Sequence, residues 1–203
     1  MEKQNNGRVI GKSTLMLAQM GVLIAIMLIF HLTGIGYLKV GVFSLTIMMV
    51  PVLIGAITMG PIAGAVLGAV FGASVLILPE TQFFIGINPL GTVAVCVGVR
   101  VFVGALCGFL FKWFSRFDRI GSWSYGASGL IAALLNTLLM MTGLALVFGS
   151  NAEFNPESTG TIALFIGLIA GVSLNAFVEA AVCMVIGGAV ARAVVAYLQK
   201  LNY

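Results

Sequence analysis

Charge is what this chain has least of: ten Lys and Arg and six Asp and Glu among 203 residues, 8% in all. A soluble domain carries about 25% charged residues. The deficit excludes a water-exposed globular surface. The ten basic residues form no patch or run, so the formal charge of +4 does not mark a nucleic-acid binder. Histidine occurs once, as His31, and the three cysteines (Cys96, Cys107 and Cys183) include no CxxC pair. That scarcity implies no metal set, no disulfide framework and no cofactor. The cysteines lie in apolar runs and suit small packing roles. What is abundant is apolar: 61% hydrophobic residues, 26 glycines and a mean hydropathy of +1.16. These describe an all-α integral membrane protein, with residues 1–203 as a single membrane domain.

A bilayer core needs about 20 apolar residues per helix. The apolar runs divide into six spans: about Ser13–Leu32, Leu45–Met59, Pro61–Leu78, Pro89–Lys112, Tyr125–Phe148 and Thr161–Leu198. The first exceeds a signal-peptide core and no small-residue cleavage site closes it, so it is expected to persist as a helix. Gly60-Pro61 predicts a tight turn between the second and third spans. Lys3, Arg8 and Lys12 precede the first span, Lys112, Arg116 and Arg119 follow the fourth, and Arg192 and Lys200 close the sixth. Six crossings put these basic residues on one side, which the positive-inside rule makes cytoplasmic, along with both termini. Lys39, Glu80, Glu153 and Glu157 then fall in outer loops.

Two charges break the apolar pattern. Arg100 stands near the middle of the fourth span, and Glu179 is the one charge between Ile162 and Ala191. A charge at mid-bilayer costs about 2.5–3.5 kcal/mol on insertion scales, so it is paired, faces a cavity or serves function. Asn136 lies midway along the fifth span, and Asn175 is four residues before Glu179, on the same helix face. Two readings stay open: a structural Arg100–Glu179 ion pair solvated by the asparagines, or the floor of a ligand cavity. They overlap, because an arginine held by a glutamate still has donors for a carboxylate.

Other motifs resolve more simply. Gly60, Gly64, Gly68 and Gly72 recur every fourth residue and line one helix face for close packing. Ala18, Gly21 and Ala25 give the first span a similar small face, suited to bundle packing or to docking on a membrane partner. Gly11-Lys12-Ser13 resembles the end of a phosphate-binding loop, but Asn6 occupies the first glycine position and no strand precedes it. Gly126-Ala127-Ser128-Gly129 matches an intramembrane serine-protease motif. The required histidine base is missing downstream, since His31 is far upstream. His31 itself falls near the outer end of the first span, as an interfacial group or a ligand contact. The outer loops Gly34–Phe43, Glu80–Pro89 (with Gln82 and Asn88) and Asn151–Thr159 are candidate lids.

The stretch Leu45-Thr46-Ile47-Met48-Met49-Val50-Pro51-Val52-Leu53-Ile54-Gly55-Ala56, with Gly60-Pro61-Ile62-Ala63-Gly64-Ala65-Val66-Leu67-Gly68-Ala69-Val70-Phe71-Gly72, resembles the substrate-binding S components of energy-coupling factor (ECF) vitamin transporters. Size and six-span topology agree over nearly the whole chain. The family's Ala-x-x-x-Ala docking element is represented by Gly21 and Ala25, a conservative departure. Its sixth-helix Asn and Glu are matched by Asn175 and Glu179. The resemblance implies a non-enzymatic vitamin-binding subunit in a bacterial cell membrane, with the pocket in the outer halves of the helices. Candidate substrate-binding residues are Arg100, Asn136, Asn175, Glu179, Asn88, Gln82 and His31. Ala18, Gly21 and Ala25 would dock on a transmembrane coupling protein that joins two ATPase subunits, and the loaded subunit would then topple in the membrane. The sequences around Asn88-Pro89-Leu90-Gly91-Thr92 and Val99–Gly104 are most similar to the pantothenate-type branch. Another vitamin or micronutrient, or a non-transport structural role, is the alternative.

Overall fold

The structure, a computed structural model, describes residues 12–34, 36–40, 43–118, 121–151, 154 and 160–200. Lys3, Arg8, Gly11, Arg119, Glu153 and Glu157, and most of the loop from Asn151 to Thr159, lie outside the described residues.

Helix α1 (Lys12–Thr33) leads into an antiparallel hairpin, β1 (Tyr37–Val40) and β2 (Phe43–Thr46). Then come α2 (Met49–Met59), α3 (Pro61–Val75) and α4 (Pro79–Ile87). Three long helices follow: α5 (Pro89–Phe114), α6 (Trp123–Phe148) and α7 (Thr161–Lys200). Helices α1, α5, α6 and α7 are each long and apolar enough to cross a bilayer, and α3 with α4 makes a fifth if that pair, bent by 87°, is one span. The chain is thus a multi-pass membrane protein. Exposed Leu32, Ile62, Leu90 and Ile162 suit contact with lipid.

Three sequence expectations are corrected. The second span begins at Met49 rather than Leu45, because Phe43–Thr46 pairs with Tyr37–Val40 as a hairpin. The first outer loop is therefore partly sheet. The third span ends at Val75, and the segment expected as an outer loop after it is the helix α4. Pro79 at the first helical position starts it, where a missing N–H costs nothing.

The turn between α2 and α3 forms as anticipated. Gly60 has φ +99°, a conformation that disfavours other residues, and Pro61 opens α3. The glycine series beyond it carries the largest helix–helix contact, α3 on α5. A Cβ on Gly64 would overlap the carbonyl of Gly104, and one on Gly68 the carbonyl of Arg100. One on Gly72 would lie 2.6 Å from Val97 Cα. Lipid offers no hydrophobic drive between helices, so such backbone approach and its dispersion contacts hold the pair together.

Helices α6, α7 and α2 close the bundle against α5 and α3, and α1 packs on α2 and α3. Arg192 Nη1 on α7 donates to Ser122 Oγ at 2.7 Å, beside the start of α6. Leu15, Phe111 and Leu198 line one surface groove. The beginning of α1 and the ends of α5 and α7 therefore share one end of the bundle, which also carries Lys112 and Arg116. There Asp118 accepts from the N–H groups of Gly121 and Ser124, each at 2.9 Å, and caps α6. Burial raises the pKa of this carboxyl, but the N–H donors outweigh it and hold the value below the ordinary range.

Gly68→Ala is expected to lower the unfolding free energy in detergent by about 1–3 kcal/mol, the cost of forcing atoms into a filled contact. Gly21→Ala, where a Cβ meets nothing within 4 Å, is the control. Equal thermal stability of the two variants would refute the close-contact role of Gly68.

Candidate functional site

Arg100, Asn136, Asn175 and Glu179, the polar residues picked out within the spans, meet in one cavity of about 150 Å³ between α3, α5, α6 and α7. Helical spacing explains the convergence. Asn136 and Met140 are one turn apart on α6, Asn175 and Glu179 one turn apart on α7, and all four line the cavity. Phe71 on α3 and Thr46 on β2 complete the wall.

Arg100 is buried, and its surroundings are built by its own helix. Residues Ala94–Gly98 form a π turn, which shifts the normal ladder of backbone hydrogen bonds. Arg100 Nη1 reaches back to donate to Cys96 O at 2.7 Å, inside that turn. The same nitrogen lies 3.5 Å from Met140 Sδ. The guanidinium carbon stands 4.5 Å from the centroid of the Phe71 ring, a cation–π contact. Nε has no partner.

The expected Arg100–Glu179 ion pair does not form among the described residues, and Glu179 Oε1 is buried without a hydrogen-bond partner. The guanidinium is held instead by the Cys96 carbonyl and the Phe71 ring. The asparagines do not solvate a pair either, since Asn136 Oδ1 and Asn175 Oδ1 also lack partners. A second π turn, Cys183–Gly187, follows Glu179 by one helical turn.

Three further candidates do not line this cavity. Gln82 is exposed, and its Nε2 donates to Leu76 O at 2.7 Å, tying α4 to the end of α3. Asn88 is exposed too, and its Oδ1 accepts from Gly91 N at 2.9 Å as the cap of α5. His31 packs edge-on to Tyr37, with ring centroids 6.0 Å apart. Its Nδ1 is buried without a partner.

Sequence reasoning missed Thr46, Phe71, Thr137 and Met140 on the cavity wall, and Tyr37 nearby. Tyr37 pairs with Thr46 across the hairpin, and its hydroxyl is buried without a partner. Burial raises the phenol's pKa against the opposing pull of Ser74 and of the Arg100 charge, so it stays protonated. Spacing could have flagged Phe71 and Met140, each a helical step from a residue already singled out. Nothing in the sequence marks Tyr37 or Thr46, which depend on the hairpin.

The other motifs serve packing. Ser128 Oγ donates to Tyr125 O at 3.0 Å on its own helix. Gly126 and Gly129 seat α6 on the second π turn, where a Cβ at Gly129 would come 2.8 Å from Cys183 O. Ala18, Gly21 and Ala25 face outward from α1 and are not used for packing within the chain.

A bundle of apolar helices around one polar cavity defines a small multi-pass membrane protein with its chemistry held inside. Residues 15–190 match the family model of the substrate-specific component of ECF transporters, and the chain belongs to that family. It is thus a transport subunit and not itself an enzyme, and its family associates with an ECF module. No curated protein matches the chain.

A double-mutant cycle checks the unpaired state of the two charges. Arg100→Met and Glu179→Gln, singly and together, should show a coupling in ligand-free unfolding of under about 1 kcal/mol. Breaking a true buried pair costs about 3–5 kcal/mol, and a coupling of that size would restore the structural ion pair.

Proposed function

We propose that this subunit captures a small vitamin acid of the pantothenate type in the Arg100 cavity and delivers it by reorienting in the membrane once docked to its module. The observation that carries the reading is the convergence of Arg100, Asn136, Asn175 and Glu179, from three helices, on one cavity without pairing to one another. A membrane bundle held together by those charges would have joined them. The free Nε of Arg100 suits the acid end, as a charge-assisted bond of guanidinium to carboxylate. A cavity of about 150 Å³ in another protein encloses benzene, so the space described here takes one end of a pantothenate-sized molecule. The hairpin and α4 are the elements proposed to adjust around the rest.

In this reading the six apolar segments cross as six spans, with both termini cytoplasmic. The clustering of Lys112, Arg116 and Arg192 at one end supports that orientation. The docking face is the outward side of α1 that carries Ala18, Gly21 and Ala25, and Ala18 with Val22 and Ile26 also borders an apolar groove of about 380 Å³. Ile54 and Thr58 of α2 and Val190 and Val194 of α7 form its other walls. Small residues there allow a coupling-protein helix to approach closely. ATP hydrolysis belongs to the two partner ATPases.

Calorimetry on the purified protein should detect pantothenate binding. Arg100→Met should weaken it by about 2–5 kcal/mol while the protein stays folded. Unchanged affinity in that variant would remove the acid-end assignment.

Docking is tested separately with Gly21→Leu. It should abolish co-purification with the coupling module yet change the subunit's own stability by no more than about 0.5 kcal/mol. Retained co-purification would exclude this face.

A further inference from the structure

Several acceptors of the cavity's lining residues are buried without a partner. Asn136 Oδ1, Asn175 Oδ1 and Glu179 Oε1 have no protein partner, and among the lining residues Arg100 Nε is the one buried donor in the same position. An asparagine amide can be turned to exchange oxygen for nitrogen. Glu179 contributes a carboxyl group, whose oxygens accept from hydroxyl or amide N–H donors. Its Oε1 is buried on α7, one turn from Asn175, whereas the Phe71 ring that holds the guanidinium belongs to α3. The site thus joins a guanidinium on α5 with a set of unpartnered acceptors on α6 and α7.

We infer that Glu179 is the specificity-determining residue of this cavity, and that the substrate is an acid whose far end carries hydroxyl or amide N–H donors. The acid end meets Arg100 Nε, and the donors satisfy Glu179 and the two asparagines. This rests on the cavity being the substrate site and narrows what it accepts. Unpaired buried polar groups are what make a site reject an analogue lacking the matching group, because binding that analogue leaves them unsatisfied. Plain fatty acids therefore fail, although their carboxylate fits Arg100. Pantothenate, with one carboxylate, one amide N–H and two hydroxyls, belongs to the accepted class.

The test compares pantothenate with nonanoate, an acid of similar reach without donors, by calorimetry on the full-length protein. Wild type should bind pantothenate at least about 10- to 100-fold more tightly than nonanoate, the ratio expected for hydrogen bonds to a charged group. Glu179→Met should erase that difference, and Glu179→Gln, which keeps one acceptor oxygen, should retain part of it. Unfolding of the ligand-free variants supplies the readout that a structural role would move. Glu179→Met should melt at or above the wild-type temperature, because it removes a charge that nothing in the protein pairs. Wild-type pantothenate affinity in Glu179→Met, or equal binding of nonanoate by wild type, overturns the inference and leaves the transport reading intact. If wild type binds neither acid, the pantothenate reading falls, and mass spectrometry of the molecule that co-purifies decides the inference. A donor-bearing acid lost from Glu179→Met supports it. A donor-free molecule, or none retained, overturns it.

Discussion

The close approach of α3 to α5 is the constraint on which the rest of this structure depends. Gly64, Gly68 and Gly72 bring the two backbones to a separation that any side chain would prevent. That approach sets the position of the Arg100 backbone, since Gly68 rests on its carbonyl. It also brings Phe71, one helical step further along α3, under the guanidinium. In a bilayer nothing but such packing and internal hydrogen bonds can hold helices in register. A loosened α3–α5 contact would shift the Phe71 ring and the Arg100 backbone relative to each other, and with them the guanidinium.

The π turn in α5 is the second half of the same device. A buried guanidinium needs acceptors, and a regular helix has few to spare because its carbonyls are committed to amides four residues on. The turn at Ala94–Gly98 breaks that ladder one helical turn before Arg100, and the side chain bonds to Cys96 O within it. Arg100 is therefore held by a backbone carbonyl and a ring, with no hydrogen bond to Glu179 among the described residues. That leaves Glu179 Oε1 without a hydrogen-bond partner.

Much of this was legible in the sequence, and the illegible part has a physical cause. Intramembrane charges are costly, so Arg100, Glu179, Asn136 and Asn175 stood out against an apolar background, and they do converge. Glycines every fourth residue have few other uses in a helix, and that packing face was readable too. The family resemblance, carried by the Leu45–Gly72 region, is met by the match over residues 15–190. Pairing was another matter. Opposite charges at similar depth suggest a salt bridge, but whether one forms turns on side-chain direction, on a π turn and on a ring, none with a sequence signature. The hairpin was hidden for a related reason: Leu45-Thr46 reads as the start of an apolar helix and Gly34–Phe43 as a loop, and the pairing of the two strands decides otherwise. Helix α4 was concealed by its polar residues, Glu80, Thr81 and Gln82, which resemble a loop where α3 bends away by 87°.

Burying polar groups without hydrogen-bond partners raises the free energy of the ligand-free subunit, and in the proposed transporter that cost has a use. The burial of Arg100 and of Glu179 Oε1 is incurred when the protein folds, so a substrate of the proposed kind that satisfies both recovers interactions the fold leaves unmade. Uncompensated sites of this kind discriminate steeply, since a molecule that meets only one charge leaves the other as costly as before. The outward small-residue face of α1 lies on a different helix from every cavity residue and shares none of its side chains. In the proposed transporter, substrate recognition and docking are then written on separate surfaces. Residues of the cavity can change with the substrate while the face offered to the module stays the same. The helix that joins the two roles is α7, which contributes Glu179 to the cavity and, beyond its π turn at Cys183–Gly187, Val190 and Val194 to the groove. A π turn is a seam where a helix shifts register at low cost. Any influence of a bound substrate on docking has its shortest covalent route through that seam.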